Sequence, residues 1–348
     1  MTLYPKLITD ALATVVYPGT KKNLVESEMV AMDNVHIDGM KVTVTLIFPR
    51  DTDPFLKSTL KAAEAAIHYH VDKSVEVTIE TEFKSAPRPE VGKLLPQVKN
   101  VIAVSSGKGG VGKTTTCAAM ASCLKKKNFR VLLADLDSQC NLSSNVGADV
   151  YGKTILDVFL GKTKTKDAIT SSPVCDIIPG SLDFGKINDA LGNKTGREYR
   201  LIESLVSIAD DYDYVILDSP PELGLATTNA LTASDQLIIP TTAESFALDG
   251  VAQLYDSVKD VWKYTNHELK IAGILITLYN NRAVLSRSMH NELEKMADKM
   301  DTRVFKQTIR RSISVAEAQQ GAQDLFSYAP NSTAAQDYEA WIEEYLEG

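Results

Sequence analysis

The chain has 348 residues, of which 44% are hydrophobic and 24% charged, and it is long enough for one large globular domain and a small one. A formal net charge of -8 excludes a protein coated in positive charge, so any contact with nucleic acid has to use a local basic patch. No segment approaches the roughly 20 uninterrupted apolar residues of a membrane span, and the opening "MTLYPKLITDALATVVYPG" lacks the basic start and long apolar core of a signal peptide, so a cytoplasmic protein is expected.

In chain order, residues 4–16 predict a short amphipathic helix, followed by a turn at "YPGTKKN" with Pro18 and Gly19. "NVHID" and "KVTVTLIF" predict two strands around a Gly39-Met40 turn; in the second, Val42, Val44 and Leu46 alternate with polar residues at the period of a half-buried strand. "DTDPFLKSTLKAAEAAIHYH" predicts a helix with Asp53 as N-cap and Pro54 at the first helical position, where a missing N–H costs nothing. "SVEVTIETEF" alternates again as a strand. This αββαβ unit over 1–85 is expected to be a small α+β domain, joined by a Pro-rich linker over 86–98 with Pro87, Pro89 and Pro96.

From residue 99 the pattern changes. "VIAVSS", "RVLLADLD", "VCDIIPG", "YVILDSPP", "QLIIPTT" and "IAGILITLY" are short, mostly apolar runs with helical segments between several of them, as in a mainly parallel sheet covered by helices. Residues 99–348 are therefore expected to form an α/β P-loop NTPase domain. Cys117, Cys123, Cys140 and Cys175 contain no C-x-x-C pair and match neither a zinc site nor a disulfide framework, so they read as buried or incidental thiols.

"GKGGVGKT", Gly107 to Thr114, fits G-x-x-x-x-G-K-[ST] and lies between a predicted strand and the predicted helix "TTTCAAMASCLKKK". Glycines let backbone N–H groups curl around phosphate oxygens, and the helix N-terminus adds partial positive charge. The candidate nucleotide-binding residues are thus Gly107, Lys108, Gly109, Gly110, Val111, Gly112, Lys113, Thr114 and Thr115, with ATP and Mg²⁺ as the expected cofactors. Lys113 is placed to reach the β and γ phosphates and Thr114 to ligate Mg²⁺. Asp135 and Asp137 are expected on one face, at period-two spacing near a strand's C-terminal end, where open α/β sheets bind ligands, and Asp218 follows four apolar residues like a Walker B aspartate, which would hold Mg²⁺ through water. A solvated strand-end turn is the plain alternative for either carboxylate strand.

Lys108 is not required by a simple phosphate loop. "KGGVGKTT" resembles the deviant Walker A signature of the ParA/MinD/Mrp ATPases. The resemblance implies that Lys108 acts in trans across an ATP sandwich homodimer and that Asp137 orients the attacking water, giving Lys108, Lys113 and Asp137 as the catalytic set. After the loop the similarity narrows to ParA/Soj partition ATPases: "DLDSQCNLS", "LDSPPELG", "LIIPTTAESFALDG", "GILITLYNNRAVLS" and the tail "AEAQQGAQDLFSYAPNSTAAQDYEAWIEE" follow that family's motifs in order. Departures are Ser138 for a proline, Cys140 for a glycine, and "TIRRS" for the usual IPR, in which Arg310 replaces a proline that the family places near the adenine.

The resemblance further implies sequence-independent DNA binding through Arg282 and Arg311, widened by Arg310 and Lys306, together with a ParB-like centromere-binding partner and residence on the nucleoid. Before the loop, "LITDALATVVYPGTKKNLVESEMV" and "RPEVGKLLPQVKNVIAVSSGKGGVGK" resemble the N-terminal domain and linker of Mrp/ApbC iron-sulfur carriers. Iron-sulfur delivery is therefore the alternative function, although the chain lacks the C-x-x-C of such carriers and any cysteine after Cys175. Membrane positioning of the MinD kind is not expected, because the C-terminal "DYEAWIEEYLEG" is acidic where an anchoring helix is basic.

Overall fold

The computed structural model describes residues 3–18, 20, 22–48, 55–83, 95, 97–244, 246–280 and 284–347. The chain divides into two compact units, Met1–Val91 and Gly92–Gly348. In the first, α1 (Pro5–Leu12) precedes a two-residue ribbon of β1 (Val16–Tyr17) and β2 (Lys22–Asn23), then β3 (Val35–Asp38), β4 (Lys41–Phe48), α2 (Leu56–His70) and β5 (Glu76–Phe83). β3 and β4 are antiparallel around Gly39, whose φ of +63° suits the turn, and β4 and β5 are parallel. Val42, Val44, Leu46 and Phe48 point to the core, which Ile8 and Leu12 of α1 and Ala63 and Ile67 of α2 close from the helical side.

Two local expectations change. The first helix stops at Leu12 rather than residue 16, because Val16 and Tyr17 pair with Asn23 and Lys22 instead. The second helix has Phe55 at its N-cap, with no side-chain cap, not Asp53. Asp53, Pro54, Gly19 and most of the expected linker lie outside the described residues.

In the second unit, β6 (Asn100–Val104), α3 (Lys113–Lys126), β7 (Val131–Asp135), α4 (Asn141–Asn145), α5 (Ile155–Phe159), α6 (Thr165–Ala168), β8 (Thr170–Ser171), β9 (Asp176–Ile178), α7 (Ile187–Leu191), α8 (Arg200–Val206), β10 (Tyr214–Asp218) and α9 (Leu225–Ala233) follow in order. The chain continues through β11 (Gln236–Thr242), α10 (Ala247–Tyr264), β12 (Lys270–Thr277), α11 (Val284–Lys299), α12 (Ile313–Gln320), α13 (Leu325–Tyr328) and α14 (Thr333–Glu347). The sheet order is β12-β11-β6-β10-β7-β9-β8, parallel except for the short β8.

Strand alternation splits the core in two. Val101, Ala103, Leu132, Ala134, Val215 and Leu217 face a layer that includes α8, α9 and α10, whereas Ile102, Val104, Leu133, Tyr214 and Ile216 face α3 and α14. Helices on both faces explain why these strands are apolar throughout. The arrangement is that of a P-loop NTPase, with the loop after β6 at the carboxyl edge of the parallel strands.

Candidate active site

The loop from Ser105 to Gly112 joins β6 to α3, and its glycines do different jobs. Gly110 and Gly112 have φ of +75° and +80°, a left-handed backbone that side chains disfavour. Gly107 has no such backbone need, but a Cβ there would lie 2.3 Å from the Gly250 carbonyl oxygen in α10. The loop is also tied from beneath: the Thr277 hydroxyl lies 2.7 Å from the Val111 carbonyl and 3.0 Å from that of Thr241.

Lys113 opens α3, is buried, and donates to the Lys108 carbonyl at 3.3 Å. Burial pushes its pKa down, against the pull of Asp218 and Asp137. Thr114 donates its hydroxyl to Asp218 Oδ2 at 2.7 Å, while Asp218 Oδ1 is buried with no hydrogen-bond partner. Desolvation, reinforced by Asp135, raises the Asp218 pKa. An orphaned carboxylate oxygen beside a threonine hydroxyl is a donor set that fits Mg²⁺, which takes one or two carboxylates and completes its shell with water and phosphate.

Asp135 and Asp137, expected on one face, part company. Asp135 ends β7 and is consumed internally: its Oδ1 accepts from the Asp137 N–H at 3.1 Å and its Oδ2 from the Ser143 N–H and hydroxyl at 2.9 and 2.7 Å. Asp137 lies past the strand end, accepts from the Gln139 N–H at 2.9 Å, and lines a cavity of about 590 Å³. That cavity is walled by Gly109, Gly110 and Gly112–Thr115 together with Gln139, Asn141, Asn145, Pro221, Thr277, Leu278, residues 309–312, Val315, Ala316, Gln319 and Tyr338. A volume of this size falls within the usual range for small-molecule sites, about 300–1,000 Å³.

Lys108 is not among the residues that line this cavity; it pairs instead with Glu244, just past β11, at 2.9 Å. The Lys108 ammonium holds the Glu244 carboxyl below its usual range, and Arg311 adds in the same direction. Arg311 and Lys306 are exposed. Arg310, expected to widen a DNA-contacting patch, is engaged elsewhere: its guanidinium makes a bidentate pair with the buried Asp337 at 2.8 and 2.7 Å and it lines the cavity. Arg282 lies outside the described residues. Sequence reasoning gave no role to Glu244, Gln319, Thr277 or Asp337. All four stand in motifs quoted above, Glu244 in "LIIPTTAESFALDG", Thr277 in "GILITLYNNRAVLS" and Gln319 and Asp337 in the tail, but no local spacing marks the partner each one meets in the fold.

The comparisons with known proteins agree with this geometry. The AAA domain family matches residues 99–271, and the iron-sulfur cluster assembly protein family matches residues 6–79. The sporulation initiation inhibitor protein Soj of Bacillus subtilis is 37% identical over 243 residues, which cover 68% of this chain and 94% of Soj. The chain belongs to the ParA/Soj family of P-loop ATPases. The chromosome partitioning protein ParA of Myxococcus xanthus is 33% identical over 245 residues, 69% of this chain and 86% of that one. The crystal structure of cobyrinic acid a,c-diamide synthase from Mycobacterium smegmatis, with bound ATP analog and magnesium, superposes with a TM-score of 0.62 at 33% identity, covering 71% of this chain and 93% of that one. As a ParA-type partitioning ATPase, this protein hydrolyses ATP.

The N-terminal match raises the question of a cluster, and the donors do not fit one. All four cysteines of the chain sit between 117 and 175, in the second unit, and all are buried. Desolvation pushes the Cys123 and Cys175 thiols up to about 12 and Cys140 to about 11, as expected of buried, unreactive thiols, and no two of the four form a C-x-x-C pair. Among the described residues no group of three or more His, Cys, Asp or Glu side chains could hold a metal ion. Among them, too, no helix is long and apolar enough to cross a membrane.

Proposed function

We propose that this ATPase is a dimerising switch: two chains enclose two Mg·ATP, the dimer holds double-stranded DNA without sequence preference, and hydrolysis releases it, partitioning a plasmid, a mobile element or a chromosome. The observation that carries this reading is the placement of Lys108, which lies outside the lining of its own cavity and pairs instead with the exposed Glu244. A lysine that does not serve its own nucleotide is available to a partner's phosphates once the Glu244 pair opens.

Within each chain the roles follow from position. The glycine backbone, Lys113 and Thr115 bind and orient the phosphates, and Thr114 and Asp218 hold Mg²⁺, which supplies charge neutralisation on the transferring phosphoryl group. Asp137, on the cavity wall, orients the attacking water. Phosphoryl transfer depends mostly on positioning and electrostatics, so turnover is slow until the arrangement is completed by DNA and a ParB-like centromere-binding protein. Arg311 and Lys306, with Arg282, supply the phosphate contacts to DNA, and nucleoid association follows from them.

The test is binding of the full chain to non-specific double-stranded DNA with ATP, with ADP and without nucleotide across a salt series. ATP-selective binding that weakens steeply with salt is expected. Equal binding in all three states, or none despite ATP binding and dimerisation, overturns the switch.

A further inference from the structure

Beyond the phosphate loop, the longest continuous stretch of the cavity wall is residues 309–312, which two neighbours lock in place. On one side Ile309 is in register with the end of the sheet: its N–H donates to the Ile276 carbonyl at 2.8 Å and its carbonyl accepts from the Tyr279 N–H at 2.9 Å. On the other side Asp337 of α14 takes three donors from a single residue, the Arg310 N–H at 2.9 Å, Nε at 2.8 Å and a terminal guanidinium nitrogen at 2.7 Å. Gln307 Nε2 adds a longer contact to the same carboxylate at 3.3 Å.

The two partners differ in exposure. The Asp337 side chain is only 5% exposed, whereas that of Arg310 remains 45% exposed at the cavity. A bidentate carboxylate uses the edge of the guanidinium and fixes its plane, leaving the π faces free. A planar cation fixed in this way is a stacking surface for an aromatic ring. Two other polar groups of the wall are already committed: Gln319 Nε2 donates to the Thr115 hydroxyl at 2.8 Å, and the Tyr338 hydroxyl lies 3.3 Å from that of Thr116.

We propose that the Arg310 guanidinium is the platform on which the purine base of the bound nucleotide stacks, and that Asp337 is the positioning residue that sets its plane. The inference rests on nucleotide occupancy of this cavity and adds to it the group that recognises the base. Stacking of this kind recognises a flat ring rather than a pattern of donors and acceptors, so it strengthens ATP and GTP alike and contributes nothing to a ligand made of phosphates alone.

The experiment compares wild type with Arg310→Lys and Asp337→Asn, reading KM and kcat for ATP and inhibition by inorganic tripolyphosphate. Lys keeps the charge beside Asp337 but has no plane, so Arg310→Lys is expected to raise KM for ATP about three- to tenfold. The loss falls on KM more than on kcat, and tripolyphosphate inhibition stays within about twofold, that is, within ~0.4 kcal/mol. Asp337→Asn keeps a hydrogen-bonding partner but loosens the plane, and shifts KM in the same direction by less. Unchanged KM for ATP in Arg310→Lys, or an equal weakening of tripolyphosphate, overturns the platform. If wild type fails to bind ATP or tripolyphosphate, the nucleotide site itself falls, a result distinct from the first. Should Arg310→Lys not fold, as thermal unfolding reports, Asp337→Asn alone decides through the same comparison.

Discussion

Gly107→Ala tests why the phosphate loop has the sequence it has. An alanine Cβ at 107 would lie 2.3 Å from the Gly250 oxygen and 3.0 Å from its carbonyl carbon, both backbone atoms of α10, so the loop or the first turn of that helix must shift. Forcing one extra carbon into such a contact costs about 1–3 kcal/mol. For a unit of this size, each kcal/mol lowers Tm by roughly 2–4 °C, giving a fall of roughly 2–12 °C together with weaker ATP binding. Gly110→Ala has a different cause, since nothing lies within 4 Å of its Cβ and the cost is the φ of +75°. Asparagine tolerates that backbone better than alanine, so Gly110→Asn should recover part of the loss, whereas Gly107→Asn should be worse than Gly107→Ala. Differential scanning fluorimetry with an ATP titration reads both. Wild-type Tm and ATP affinity in Gly107→Ala would refute the close-approach argument, and an equal response to asparagine at both sites would refute the division of roles.

Two further outcomes follow from the charged groups. Lys113→Ala should lose tight ATP binding, measured by isothermal titration, and retained full ATPase activity would refute the loop assignment. Asp218 is buried and its carboxyl is pushed up to about 8. A raised folded-state value means that its contribution to stability is present at and below the unfolded carboxyl pKa of about 4 and is lost as pH rises toward 8. Without nucleotide or Mg²⁺, the Tm of Asp218→Asn should therefore gain on wild type between pH 5 and 8, and parallel curves across that range would refute the burial argument.

The architecture was legible because its signals are local. Apolar runs such as Val101–Val104 and Val215–Leu217 are buried on both faces of a parallel sheet, and the alternation of Val42, Val44 and Leu46 marks a strand with one face on a core. The first helix ran too long on paper because pairing of Val16 with Asn23 overrides a propensity that would have continued it. The period-two spacing of Asp135 and Asp137 was misleading because β7 ends at Asp135, and beyond a strand end the alternation no longer fixes direction.

Sequence by itself determined the phosphate loop, its Lys113 and Thr114, the Asp218 strand end and the family, since each depends on residue types at short fixed spacings. Tertiary structure decided what lies far apart in the chain: Glu244 against Lys108, Asp337 against Arg310, Gln319 against Thr115 and Gly250 against Gly107. These pairs join residues 27 to 204 positions apart, and only folding of the sheet and its covering helices brings them within a hydrogen bond or a van der Waals contact.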